Sequence, residues 1–187
     1  VSKANVETVV RRSDTALPAL LRLVNPKYTG TMPLFSLFAS ALGVQSLAMV
    51  ARSRGGMELL TGGDSFIAVM DSISFATEPT MGHRVSDALR VVEAGFRLLQ
   101  RAAFDEAGLA YLRKHDAVKR LAQALLWIER LGFQSLGSLG VRVMGRVVGS
   151  DLPSLITTAS GKSADTSTTE AEFAATLLAS LMLDGDV

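Results

Sequence analysis

Leu42-Gly43-Val44-Gln45-Ser46-Leu47 returns as Leu131-Gly132-Phe133-Gln134-Ser135-Leu136. Around this echo lies a longer, looser one at a constant offset. Ser46-Leu47 through Ile73 lies over Leu98-Leu99 through Leu125, so that Gly56 meets Gly108, Leu60 meets Leu112, Asp64 meets Asp116, Phe66 meets Val118, Val69 meets Leu121 and Ile73 meets Leu125. Self-similarity at a period of tens of residues is the signature of stacked supersecondary units, each unable to bury its apolar face alone.

The apolar residues recur at helical spacing, and no alternating β-branched run bounded by turn dipeptides occurs. The pattern predicts helices over 2–12, 15–24, 33–41, 44–52, 57–60, 65–75, 84–103 and 106–113. A further helix capped by Asp116 carries Val118, Leu121, Leu125 and Ile128, and another covers 133–148. Gly43 is expected to bend the path between two of these, and Gly132 to end a third. Asn25-Pro26 stops the helix before it, because the residue preceding proline is pushed out of the helical region. The clearest stripe is Val85, Leu89, Val92, Phe96 and Leu99, advancing by four, three, four and three. Asp64 and Asp116, equivalent under the offset, read as paired helix caps rather than as a catalytic pair.

The chain divides into a helical body over 1–156, a Ser/Thr-rich linker over 157–168 and an amphipathic helix with an acidic tail over 169–187. Ser167-Thr168-Thr169-Glu170 has capping-box spacing and starts that last helix, which carries Phe173, Leu177, Leu178, Leu181 and Met182. Charge follows the same division. Residues 1–150 hold 18 basic and 12 acidic side chains, whereas 151–187 hold Lys162 against six acids. Arginine outnumbers lysine 14 to 5, a bias that suits interface ion pairs because the planar fork loses little freedom per hydrogen bond. With no cysteine, disulfide frameworks, thiolate zinc sites and cysteine nucleophiles are excluded. Residues 32–51 carry no charge and match a bilayer in length. Pro33, Ser36, Ser40, Gly43, Gln45 and Ser46 weigh against a span, as does the twin of Gln45-Ser46 beside Arg142 and Arg146.

The sequence Ser46-Leu47-Ala48-Met49-Val50-Ala51, then Gly56-Met57-Glu58-Leu59-Leu60, then Phe66-Ile67-Ala68-Val69-Met70 resembles one armadillo-type unit. Leu98-Leu99 through Gly108-Leu109-Ala110-Tyr111-Leu112 to Ala117-Val118-Lys119-Arg120-Leu121 resembles a second. The likeness to armadillo and HEAT repeats covers residues ~30–150, with an offset longer than the usual ~40–47 residues. It implies a helical stack whose concave face binds peptides or protein surfaces. The fold expected is therefore all-α: an armadillo-like helical stack or an irregular helical bundle, with a separate helix following it.

Signatures of chemistry are few. Ser160-Gly161-Lys162-Ser163 is similar to the end of a phosphate loop, but the first loop glycine is replaced by Ile156. His83 and His115 have no partner at ligand spacing, and Gly-x-Ser-x-Gly is absent. No catalytic residue, metal or cofactor is expected. The function expected is a non-enzymatic protein–protein interaction scaffold or assembly subunit. The alternative is a membrane-associated accessory subunit of a mitochondrial complex, inserted through residues 32–51. The partners expected are other proteins rather than nucleic acid, in the cytoplasm or mitochondrion and not in the secreted space. Candidate partner-binding residues are Arg97, Arg101, Arg113, Lys114, Lys119, Arg120, Trp127, Phe173, Leu177 and Leu181.

Leu121→Asp is expected to unfold the second unit, because it buries an unpaired carboxylate, whereas Arg113→Ala is expected to leave the protein near its original stability. Thermal denaturation of the two variants checks the core assignment.

Overall fold

The echo at the constant offset has a physical counterpart at two glycines. A Cβ on Gly56 would stand 1.8 Å from the carbonyl oxygen of Val50, and a Cβ on Gly108 would stand 2.4 Å from that of Ala102. Val50 and Ala102 are themselves equivalent under the offset. Each glycine lets a short helix fold back onto the last turn of the long helix before it, at a distance that no side chain permits.

The computed structural model describes residues 12–25, 36–53, 55–78 and 84–148. Among them are eight helices and no strand: α1 (Ser13–Val24), α2 (Leu37–Val50), α3 (Gly56–Thr61), α4 (Ser65–Ala76), α5 (Val85–Ala103), α6 (Glu106–Lys114), α7 (Ala117–Arg130) and α8 (Gln134–Val148). The architecture is all-α. The helix expected over 2–12, the linker over 157–168 and the helix over 169–187 lie outside the described residues, as do Phe173, Leu177, Leu181, His83 and Ser160–Ser163.

Helices that the offset aligns lie against one another. α1 packs on α4 and α4 on α7, α2 packs on α5, and α3 packs on α6. The bounds of α1, shifted by the same offset, coincide with those of α4. α8 then packs on α5 as α5 packs on α2. The middle helix α5 is consequently covered on several sides. Its buried face takes in Ala88, Val91, Val92, Gly95, Phe96, Leu98, Leu99, Ala102 and Ala103, well beyond the expected stripe. Val85, placed in that stripe, is 45% exposed. Phe66, Leu60, Leu112, Val69, Leu121 and Ile73 are fully buried in one continuous core.

The expectation of a bend at Gly43 is corrected. The residues expected to form separate helices on either side of Gly43 form one continuous helix, α2. Gly43 is buried in it, and a Cβ there would sit 2.8 Å from Val24 Cγ2. The glycine serves close approach of α1 rather than a bend. Gly132, by contrast, has φ +73° and ends α7. The amides of Gly132 and Phe133 donate to the carbonyls of Glu129 (2.9 Å) and Ile128 (3.3 Å), the paired pattern of a Schellman ending. The six-residue echo thus folds as helix interior in one copy and as a helix–turn–helix junction in the other.

The caps also differ from expectation. Ser36 accepts from the amide of Ala39 (3.4 Å) and Asp105 from that of Gly108 (3.0 Å). Asp64 and Asp116 occupy N-cap positions, but neither side chain accepts a capping hydrogen bond. Asp116 has φ +51°, a left-handed conformation that Asp tolerates better than most residues.

Two groups of polar residues inside the fold pair helices with one another, while the buried Ser65 Oγ has no hydrogen-bond partner. Ser40 donates to the carbonyl of Val24 (3.1 Å) and lies 2.6 Å from Ser72 Oγ, which ties α1, α2 and α4 together. Asp71 on α4 accepts from Asn25 (3.3 Å) at the end of α1 and from Arg120 (2.8 Å) on α7.

No helix among the described residues is long and apolar enough to cross a membrane. α2, which occupies most of the uncharged 32–51 stretch, spans about 21 Å against about 30 Å of hydrocarbon. Its Leu37, Ala41, Val44, Leu47 and Val50 are buried in the protein core.

Gly56→Ala and Gly108→Ala should each lower stability by about 2 kcal/mol or more, because backbone must move to admit the methyl group. Gly63→Ala, whose Cβ would meet nothing within 4 Å, should be nearly neutral. Urea denaturation of the three variants compares them.

Candidate functional site

The apolar stripe that buries α2 leaves an opposite stripe outward. Phe38, Leu42, Gln45, Met49 and Arg52 advance along it by four, three, four and three, and all are exposed or half-buried. On α5 the corresponding outward residues are Arg90, Glu93, Arg97, Gln100 and Arg101, with Phe104 just past the helix end. α2 and α5 run side by side in the same direction, since Arg90 lies over the ring of Phe38 (5.7 Å to its centroid) and Arg101 Nε donates to the carbonyl of Ala51 (3.1 Å). Between them is a groove of ≈ 840 Å³ with Ala48, Met49 and Ala94 among its lining. The small side chains let the helices approach while the longer arginines stand at the rims.

A second groove of ≈ 420 Å³ continues on the other side of α5, against α8. It shares Glu93, Arg97 and Gln100 with the first and adds Leu89, Phe133, Ser135, Leu136, Leu139 and Arg142. Arg146 on α8 lies over the ring of Phe104, 5.1 Å from its centroid. Arginine–aromatic pairs of this kind contribute about 0.5–1 kcal/mol at exposed sites. A guanidinium stacked on an aromatic face can still present its N–H edge to a carboxylate.

The two grooves together are lined by Arg52, Arg90, Arg97, Arg101 and Arg142 against Glu93 as the sole acid among the lining residues. Glu93 pairs with Arg97 at 2.6 Å. Both side chains are at least half exposed, so solvent screens the pair and it contributes little. Exposed Phe38, Phe104 and Phe133 sit around this surface. A surface of several guanidinium forks over small and apolar side chains can take carboxylates bidentately while covering an apolar side chain between them. No group of His, Asp and Glu able to hold a metal ion is present among the described residues.

The structure sorts the candidate residues into different places. Arg97 and Arg101 stand in the groove. Arg113 is on α6, where its Nε donates to the carbonyl of Val147 (2.7 Å) and so satisfies an end carbonyl of α8. That bond corrects the expectation that Arg113→Ala is inconsequential: losing it removes about 1 kcal/mol. Lys114 is exposed at the end of α6, next to His115, whose ring lies against that of Tyr111 (4.3 Å between centroids). Lys119 lies on α7. Arg120 on α7 is committed to Asp71, whose side chain is 13% exposed. Trp127 is half-buried and packs against both apolar clusters, so it fills space between helices.

Arg52, Arg90, Arg142 and Arg146 were not among the residues expected at a site. Arg90 was legible, since it shares the polar face of α5 with Arg97 and Arg101 at helical spacing. Arg52 and Arg142 come from helices distant in sequence, and only packing brings them to α5. No family model, no curated protein and no solved structure matches the chain.

If the arginines divide in this way, Arg142→Ala should leave the melting temperature within about 1 °C of the original, and Arg90→Ala should lower it by no more than about 1–3 °C, the worth of its contact with Phe38. Arg120→Ala should cost about 1–2 kcal/mol by leaving the sheltered carboxylate of Asp71 short of a partner. Calorimetry of the three variants measures the contrast.

Proposed function

We propose that the protein is a non-enzymatic helical scaffold that binds an acidic segment of a partner protein along the α2–α5–α8 face. The observation that carries this reading is the groove pair: five arginines, one glutamate and exposed phenylalanines gathered from three helices onto one surface. A face of this composition is costly to leave without partner carboxylates, because like charges repel, and it steers an acidic ligand toward itself.

The arrangement of helices supports an armadillo-like reading. In chain order, α3, α4 and α5 form a short–long–long set, and α6, α7 and α8 form another, with α1 and α2 ahead of them matching the two longer helices of a set. Like helices stack on like along the chain. Armadillo units resemble this plan, and the concave face of such a stack binds peptides or protein surfaces. On this reading α2, α5 and α8, the three helices that line the grooves, would supply that face. The ends of a helical stack expose apolar residues unless capped, and Leu23, Leu42, Leu131 and Phe133 are exposed near its two ends. A subunit of a larger assembly covers such residues with neighbours.

The test is binding of a fluorescein-labelled polyglutamate peptide, followed by fluorescence anisotropy. Arg97→Glu together with Arg142→Glu should weaken binding at least ten-fold, while Lys114→Ala should leave it unchanged. Affinity should fall steeply as salt rises from 0.05 to 0.3 M, as screening requires. Binding insensitive to both the double substitution and salt would show that the groove is not the site.

A further inference from the structure

We propose that the groove has an occupant within this chain: residues 169–187, which dock on the α2–α5 face and compete with external acidic ligands for it. The inference rests on the groove reading above. The segment holds Glu170, Glu172, Asp184 and Asp186 and no basic residue. It is thus the charge complement of a surface that holds Arg52, Arg90, Arg97 and Arg101 against Glu93.

The spacing within the segment matches the groove as well as its charge does. Glu170, Phe173, Leu177, Leu181 and Asp184 advance by three, four, four and three. On a helix that spacing sets three apolar side chains on one face with a carboxylate at each end of the row. The two carboxylates are then separated by about 21 Å along the axis. The groove offers the inverse pattern. Arg90 stands at one end beside Phe38, Arg101 and Arg52 stand at the other beside Phe104, and Ala48, Met49 and Ala94 lie between. Arg90 and Arg101 are about 17 Å apart along α5, and side-chain reach covers the remainder.

Connectivity favours the segment over a free ligand of equal chemistry. It follows α8, which itself forms a wall of the adjoining groove. The 20 intervening residues, 149–168, are rich in Ser, Thr and Ala. A random coil of 20 residues has a root-mean-square span of about 25 Å, comparable to the length of α5. An intramolecular partner on such a tether acts at an effective concentration in the millimolar range. An external ligand therefore binds with its affinity reduced by the fraction of time the groove is open. Release of the segment, by a stronger acidic partner or by raised salt, opens the face.

The experiment uses the full chain, whose lack of cysteine makes Ser180→Cys a unique labelling position. A nitroxide attached there should broaden the amide resonances of Gln45, Ala94 and Gln100 several-fold relative to a diamagnetic label. Combining Glu170→Gln, Glu172→Gln, Asp184→Asn and Asp186→Asn should restore them and tighten polyglutamate binding about ten-fold. A mixture of isotope-labelled chain without nitroxide and unlabelled chain with it reports contact between copies. Broadening seen only in that mixture would mean that a second copy fills the groove, and would overturn the proposal. Absence of broadening, with peptide binding that is intact, lost on Arg97→Glu and indifferent to the four neutralisations, would overturn self-docking and leave the groove reading standing. Absence of both broadening and peptide binding would overturn the two together.

Discussion

Two close approaches of backbone to backbone hold the plan of this protein in place. Gly56 and Gly108 each lie against the carbonyl of the residue six positions earlier, Val50 and Ala102. A methyl group at either site would overlap that oxygen. Because nothing stands between them, a short helix can reverse direction within a few residues of a long one. The next long helix then starts at a set distance along the chain. Stacking of α1 on α4 on α7, and of α2 on α5 on α8, follows from using the same elbow twice. The helices on either side supply most of the burial energy, at about 25 cal/mol for each Å² of apolar surface removed from water, but the elbows decide which faces meet.

Stacking divides the molecule's polar residues into two kinds. Those on the α1–α4–α7 row are spent internally. Asp71 takes hydrogen bonds from Asn25 and Arg120, and Ser72 meets Ser40, a residue of α2 that faces inward. The exposed ones on the α2–α5–α8 row point outward, and their contacts lie at the surface: Glu93 with Arg97, Arg101 with the Ala51 carbonyl, and Arg90 and Arg146 over phenylalanine rings. The same residue type therefore plays opposite parts. Arg120 and Arg113 complete the fold, the first through a sheltered carboxylate and the second through an end carbonyl of α8. Arg52, Arg90 and Arg142 stand clear of the core and furnish a surface.

Much of the helical content was legible because apolar spacing and glycine punctuation are local signals. The stripe through Val92, Phe96 and Leu99 is buried as its periodicity requires, and so are Leu121, Leu125 and Ile128. The six-residue echo was less reliable than the looser one. Leu42-Gly43 and Leu131-Gly132 have the same residues, yet Gly43 accepts the helical conformation under pressure from Val24, while Gly132 takes φ +73°. Glycine is nearly indifferent between these states, so neighbours choose. The longer alignment pairs Gly56 with Gly108, Leu60 with Leu112, Val69 with Leu121 and Ile73 with Leu125, which are elbow glycines and buried residues whose requirements are steric and specific.

The sequence by itself determined that the described residues are helical, where most of their helices lie, which face of each seeks a core, and that the chain's charge is divided between a basic body and an acidic segment. These depend on spacing along the chain, which is visible without coordinates. Only the tertiary structure decided which arginines belong together. Arg97 and Arg113 are close in sequence, but α6 carries the second away to the end of α8. Arg52, Arg97 and Arg142 are far apart in sequence, but parallel packing of α2, α5 and α8 sets them on one surface. A solvated charge carries no local trace of its distant neighbours, because its conformational preferences on a helix are the same whether it faces open water or a groove.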